Sequence, residues 1–242
     1  MTSRRDSLLQ EMGLGPLWRL RTARQDAVVA GAAQSGDAGA GAAGAAGTRE
    51  EIIARLDWDG LRSAVAECRA CALCRERKQA VLGVGDTAAD WLFVGEGPGA
   101  EEDARGEPFV GQAGKLLDAM LASIGLRRGE NVYIANVVKC RPPNNRTPQA
   151  DESAACWPFL ERQIALLQPK LIVALGRPAA QGLIGGEISI GAARGRVHRH
   201  GGIAVVATYH PAYLLRSPQD KAKAWEDLCF ARRQMAGETS AA

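Results

Sequence analysis

Six cysteines are the first residues of this 242-residue chain whose types and spacing carry chemistry. Cys68 and Cys71 form a C-x2-C pair, Cys71 and Cys74 form another, and Cys140 and Cys156 lie far downstream with fifteen residues between them. Two close thiolates joined by two distant ones suit a four-cysteine site, for zinc or for an iron–sulfur cluster. Spacing does not choose between these metals, and it leaves one of the first three cysteines spare. Cys229 sits inside a helical pattern and reads as a plain buried thiol.

A second set of residues sits in glycine- and proline-rich turns. Gly95-Glu96-Gly97-Pro98-Gly99 offers backbone N–H groups, with Glu101, Glu102 and Asp103 close behind. It is not a dinucleotide fingerprint, because the third glycine comes one residue early and Pro98 fills the spacer. Asn136, Cys140 and His210 stand in comparable positions. Two segments are basic: Lys139 to Arg146 (KCRPPNNR) has three cations and no acid, and Arg194 to His200 (RGRVHRH) has three Arg and two His. Such loops suit a phosphate backbone, although solvated loops carry the same composition.

The elements that must position these groups are legible in the apolar pattern. Trp91–Val94, Val132–Val138, Leu171–Leu175 and Ile203–Thr208 read as buried strands. Gln112–Ile124 has a helical apolar face, and a helix capped by Thr147, with Pro148 first, runs to about Gln168. Arg177–Ile184 and Asp220–Gln234 are further helices. Strand–helix alternation predicts an α/β fold, a three-layer α/β/α sandwich around a central, mainly parallel four-stranded sheet. Ligands in such folds bind beyond the carboxyl ends of the strands, where Glu96, Asn136, Cys140 and His210 all fall.

Composition bounds the rest. Hydrophobic residues are 46%, charged residues 24% and the net charge +3, a globular balance that excludes disorder throughout and does not by itself announce nucleic acid. Ala and Gly make 15 of the 18 residues from Ala30 to Gly47. The expected organisation is a tail at 1–29 with a short helix in Ser7–Arg21, a flexible linker at 30–48, one domain at 49–236 and a tail at 237–242. No signal peptide or membrane span is expected, which places the chain in the cytoplasm, where six cysteines favour metal ligation or burial over disulfides.

Three segments together, GEGPGAEEDARGEPFVG (95–111), YIANVVKCRPPNNRTP (133–148) and YHPAYLLRSP (209–218), resemble the family 4 uracil-DNA glycosylases. The resemblance covers roughly Ala66 to Ala231. It implies hydrolysis of the N-glycosidic bond of deoxyuridine in DNA, with the nucleotide flipped into a pocket. It implies a 4Fe-4S cluster on Cys68, Cys71, Cys140 and Cys156, with Cys74 spare. It implies that Phe109 stacks on uracil, that the amide of Asn136 reads O4 and N3–H, and that Gly97 offers its N–H. His210 then donates to O2, Glu102 crowds out the thymine methyl, and Glu96 stands where a base for water activation would sit. DNA contacts are expected from Lys139, Arg141, Arg146, Arg194, Arg196 and Arg216, with Leu214 and Leu215 as the wedge in a loop. The expected partner is uracil-containing DNA, single- or double-stranded, bound by a monomer. Two other readings stay open: an iron–sulfur DNA-binding protein that senses redox or binds without turnover, and a glycosylase of the same superfamily for another deaminated base.

Overall fold

Among the described residues, Thr48 opens the first helix with a reciprocal cap. Its hydroxyl accepts from the Glu51 N–H at 3.3 Å, and the Glu51 carboxylate accepts from the Thr48 N–H at 3.0 Å. The computed structural model describes residues 47–237. The expected helix in Ser7–Arg21, nearly all of the Ala/Gly segment and residues 238–242 lie outside the described residues.

In chain order the elements are α1 (Arg49–Ile53), α2 (Trp58–Glu67), β1 (Val84–Gly85), β2 (Trp91–Gly95), α3 (Ala100–Arg105), α4 (Gln112–Ser123), β3 (Val132–Asn136) and α5 (Ala150–Leu167). They continue with β4 (Leu171–Leu175), α6 (Arg177–Ile184), α7 (Ile190–Ala193), β5 (His198–His200), β6 (Ile203–Thr208), α8 (Pro211–Arg216) and α9 (Lys221–Met235).

The sheet has six strands in the order β1-β3-β2-β4-β6-β5, not the four expected. The four expected strands form its parallel centre, and the two added ones pair antiparallel at its edges. Edge strands this short carry too little apolar pattern to be read from sequence. Residues of β2, β3 and β4 are buried on both faces, as a covered parallel sheet requires. Alternate residues split between two cores. Leu92, Val94, Ile172 and Ala174 pack with Phe159, Leu160 and Ile164 of α5, whereas Phe93, Ile134, Val173 and Val206 pack with Leu117 and Leu121 of α4 and Leu228 of α9. Helices on both faces make the three layers.

Two boundaries shift for local reasons. Helix α5 starts at Ala150 rather than Pro148, because Glu152 accepts from the Gln149 N–H at 2.8 Å and so makes Gln149, not Thr147, the cap. The segment expected as a loop after His210 is the helix α8, with His210 itself as its cap.

Candidate active site

The carboxyl ends of β2, β3, β4 and β6 open into one cleft of about 730 Å³, lined among others by Glu96, Gly97, Glu102, Phe109, Asn136 and His210. All the residues expected to handle a base therefore share a cavity. The arrangement is built from glycine outward. A Cβ on Gly95 would stand 2.5 Å from Asn136 Oδ1 and 2.6 Å from Phe109 Cζ, so only the missing side chain lets amide and ring meet over the strand end.

Phe109 sits at φ +55°, a backbone conformation that costs a non-glycine residue about 1 kcal/mol or more. Three neighbours hold it there. The Glu102 carboxylate accepts from the N–H groups of Val110 (2.9 Å), Gly111 (3.1 Å) and Gly99 (3.1 Å). The Arg128 guanidinium donates to the carbonyls of Pro108 and Phe109, each at 2.9 Å. Gly114 leaves room for the Phe109 carbonyl, which a Cβ would meet at 1.8 Å. Glu102 thus lines the cleft as expected, with its oxygens engaged by the backbone.

Asn136 is 2% exposed, and its Oδ1 is, among the described residues, the buried side-chain polar atom left without a hydrogen-bond partner. An orphaned acceptor at the wall of a cleft is costly unless a ligand completes it.

His210 caps α8. Its Nδ1 accepts from the Ala212 N–H at 3.1 Å, which leaves Nε2 to carry the proton of the neutral ring. Burial and the nearby Arg216 charge hold its pKa down to about 4, outweighing the pull of Glu102, so the ring is neutral at physiological pH. Glu96 moves the other way: burial raises its carboxyl above the usual range, against a Thr147 hydrogen bond and the Arg177 charge.

The charged and wedge residues divide. Arg146 and Arg216 line the cleft, Arg146 in a bidentate pair with Glu152 at 2.8 and 2.7 Å. Arg196 is exposed, and Arg141 is half-buried with Nε donating to Asn145. Leu215 is 44% exposed. Three expectations are corrected. Lys139 is 1% exposed with its ammonium bonded to the Asn136 carbonyl and Gln163, so it cannot reach DNA. Arg194 is neutralised by Asp227 at 3.0 Å and Glu226 at 3.2 Å. Leu214 is 1% exposed in the core, turned about 100° around α8 from its neighbour Leu215, so it is not free to wedge.

Arg177 was missed. It is an exposed cleft residue immediately after the β4 turn, where the strand-end rule that picked out Gly176 would also have found it. Arg128 and Gly114 carry no sequence signal of their role, which depends on how a loop folds back.

Cys68, Cys71, Cys74, Cys140 and Cys156 line a second cavity, and all are free thiols. Cys229 in α9 is half-buried, less covered than expected. Among the described residues no three His, Cys, Asp or Glu side chains are set to hold a single metal ion. The sulfurs are met by donors: Arg77 Nη1 lies 2.9 Å from Cys140, Arg49 Nη2 3.7 Å from Cys68, and the Lys139 N–H 3.2 Å from Cys156. Burial lowers the Lys139 pKa to about 8, which leaves it cationic at neutral pH.

An α/β sheet whose strand ends gather an amide, an imidazole and a held aromatic ring defines a nucleobase-handling protein, and known proteins agree. The family model described as "Uracil DNA glycosylase superfamily" matches residues 82–229. A type-4 uracil-DNA glycosylase of Thermotoga maritima is 48% identical over 172 residues, spanning 70% of this chain and 86% of the relative. Those of Archaeoglobus fulgidus and Pyrobaculum aerophilum are 49% and 44% identical over 66% and 72% of this chain, and over 84% and 93% of their own lengths. The chain belongs to the type-4 uracil-DNA glycosylases of that superfamily. Among the described residues no helix is long and apolar enough to cross a membrane.

Proposed function

We propose that this protein hydrolyses the N-glycosidic bond of deoxyuridine in DNA, releasing uracil and leaving an abasic site. The observation that carries this reading is the orphaned amide of Asn136 beside the Phe109–His210 pair. Uracil offers one donor, N3–H, and one acceptor, O4, along a single edge. A fixed amide matches both. The Phe109 ring supports the face of the base. Exclusion of thymine falls to Glu102, whose carboxylate is locked by three backbone N–H groups.

Bond breaking leaves positive charge on the sugar and negative charge on the departing uracil. A neutral His210 with its proton on Nε2 supplies a donor to O2 without losing that proton first. A preorganised donor of this kind contributes about 3 kcal/mol to the transition state. Glu96, made more basic by burial, orients or deprotonates the attacking water. The flipped nucleotide's flanking phosphates meet Arg177 and Arg216, and Leu215 fills the vacated stack.

The five thiols that line one cavity supply enough soft sulfur ligands for a 4Fe-4S cluster, the centre that the resemblance implies. Arg49, Arg77 and Lys139 balance the negative charge of four thiolates. Cys68, Cys71, Cys140 and Cys156 would hold the cluster, with Cys74 beside it, and its contribution is to tie the segment after α2 to β3 and α5. Incubation with oligonucleotides holding uracil opposite guanine, opposite adenine or in single strands, followed by alkali, tests the function. Strand cleavage with release of free uracil is expected, and intact strands with all substrates would overturn it.

A further inference from the structure

Lys139 is more than a displaced DNA contact. Burying a lysine ammonium is costly, and a residue needed only to fill space there would be apolar. Yet Lys139 is 1% exposed beside Gln163, which is fully buried. Its Nζ donates to the Asn136 carbonyl at 2.7 Å and to Gln163 Oε1. Gln163 is itself anchored, with Nε2 donating to the Leu82 carbonyl at 2.9 Å and to the Tyr133 hydroxyl at 3.3 Å. The Lys139 N–H donates to Cys156 Sγ at 3.2 Å, and Cys156 and Gln163 lie on the same helix, α5. One residue therefore bonds to the backbone that carries the base-reading amide, to the helix behind it and to the wall of the thiol cavity.

We propose that Lys139, with Gln163, is a positioning residue that fixes the backbone of Asn136, and hence the direction of its amide, from behind the sheet. The chain turns away from β2 soon after Asn136, its last ladder bonds being Val137 to Gly95 and Val138 to Glu96. Without the ammonium, the Asn136 carbonyl and the Gln163 amide oxygen both become buried acceptors lacking a donor. The strand end then shifts to find other partners, and the amide moves with it. Lys139 acts on uracil recognition without touching DNA.

The inference rests on Asn136 reading uracil, so the test includes a variant of each. Affinity is measured for an oligonucleotide holding 2′-fluoro-2′-deoxyuridine, which resists hydrolysis, and for the same strand with thymidine. Their ratio isolates recognition of the base. Lys139→Met is expected to lose about tenfold of the uracil preference, as one misaligned hydrogen-bonding group would cost, with thymidine-strand affinity and its salt dependence unchanged. An unchanged preference, or a weaker salt dependence marking a lost phosphate contact, overturns the inference. Should Lys139→Met fail to fold or lose iron, Gln163→Met is scored by the same criteria, with the same overturning results. If Asn136→Ala keeps the full preference, the reading of Asn136 fails. If Asn136→Ala loses it and the other variants do not, only the role of Lys139 fails.

Discussion

Phe109 and His210 stack with ring centroids 5.4 Å apart and planes 29° from parallel. One ring comes from a loop held at positive φ and the other from the cap of α8, so two distant segments bring their rings together at the wall of one cleft. Replacing Phe109 by Ala removes a stacking face that is worth about 1–3 kcal/mol for a base. Excision under single-turnover conditions is expected to slow by about ten- to a hundredfold. Phe109→Tyr should retain most of the rate.

His210 gives a pH prediction with a definite sign. Its folded pKa lies at about 4, below the ordinary value of 6.5. The unfolded chain therefore binds a proton that the folded chain refuses between these values, and stability falls as pH drops through that window. Above pH 6.5 the contribution is complete. NMR of the imidazole should show no titration from pH 5.5 to 8, and the excision rate should carry no inflection from His210 in that range. His210→Ala is expected to slow excision by about 10²- to 10³-fold at every pH in it, as loss of an oxyanion donor does elsewhere.

Gly95→Ala tests the close approach at the strand end. Its Cβ would press on Asn136 Oδ1 at 2.5 Å and Phe109 Cζ at 2.6 Å. Both groups must move, and loss of excision is expected with affinity for undamaged DNA retained. Near-normal excision by this variant would contradict the close approach of Asn136 and Phe109 over Gly95.

The arginines separate by their partners. Arg177→Ala and Arg216→Ala should each reduce the salt slope of DNA binding by about one unit, the counterion equivalent of one phosphate contact. Arg194→Ala should leave that slope alone and lower the melting temperature instead, because Asp227, 2% exposed, loses its guanidinium partner. Binding titrations from 50 to about 200 mM salt distinguish the two patterns.

A 4Fe-4S cluster on Cys68, Cys71, Cys140 and Cys156 would give the protein colour and bound iron. Protein purified without oxygen should be brown and contain iron and sulfide in equal amounts, and Cys140→Ser should lose both the colour and thermal stability. A colourless, zinc-containing protein would contradict it.

What was legible in the sequence follows from burial. Leu171–Leu175 and Ile203–Thr208 are runs whose every residue suits a covered sheet, and both strands stand where the pattern puts them. Gly85 and the His198–His200 strand have no such pattern, since an edge strand is half solvent-facing. Asn136 and His210 line the cleft at the strand ends, where the alternation of strands and helices puts them. Leu214 and Leu215 are one residue apart, and only the helical turn of α8 decides which of them faces the core. Lys139 sits in a basic string, and nothing local marks it as buried. Its partner Gln163 comes 24 residues later, on a helix that only the packed fold brings beneath β3.

Excision as proposed needs an amide that holds uracil and an imidazole that takes up its charge. Single-turnover release of uracil from a duplex with one uracil, by the wild type, Asn136→Ala and His210→Ala, tests this most directly. Rapid release by the wild type is expected, with losses of about a hundredfold or more in both variants while folding and affinity for undamaged DNA are retained. Release at the wild-type rate by either variant would contradict it.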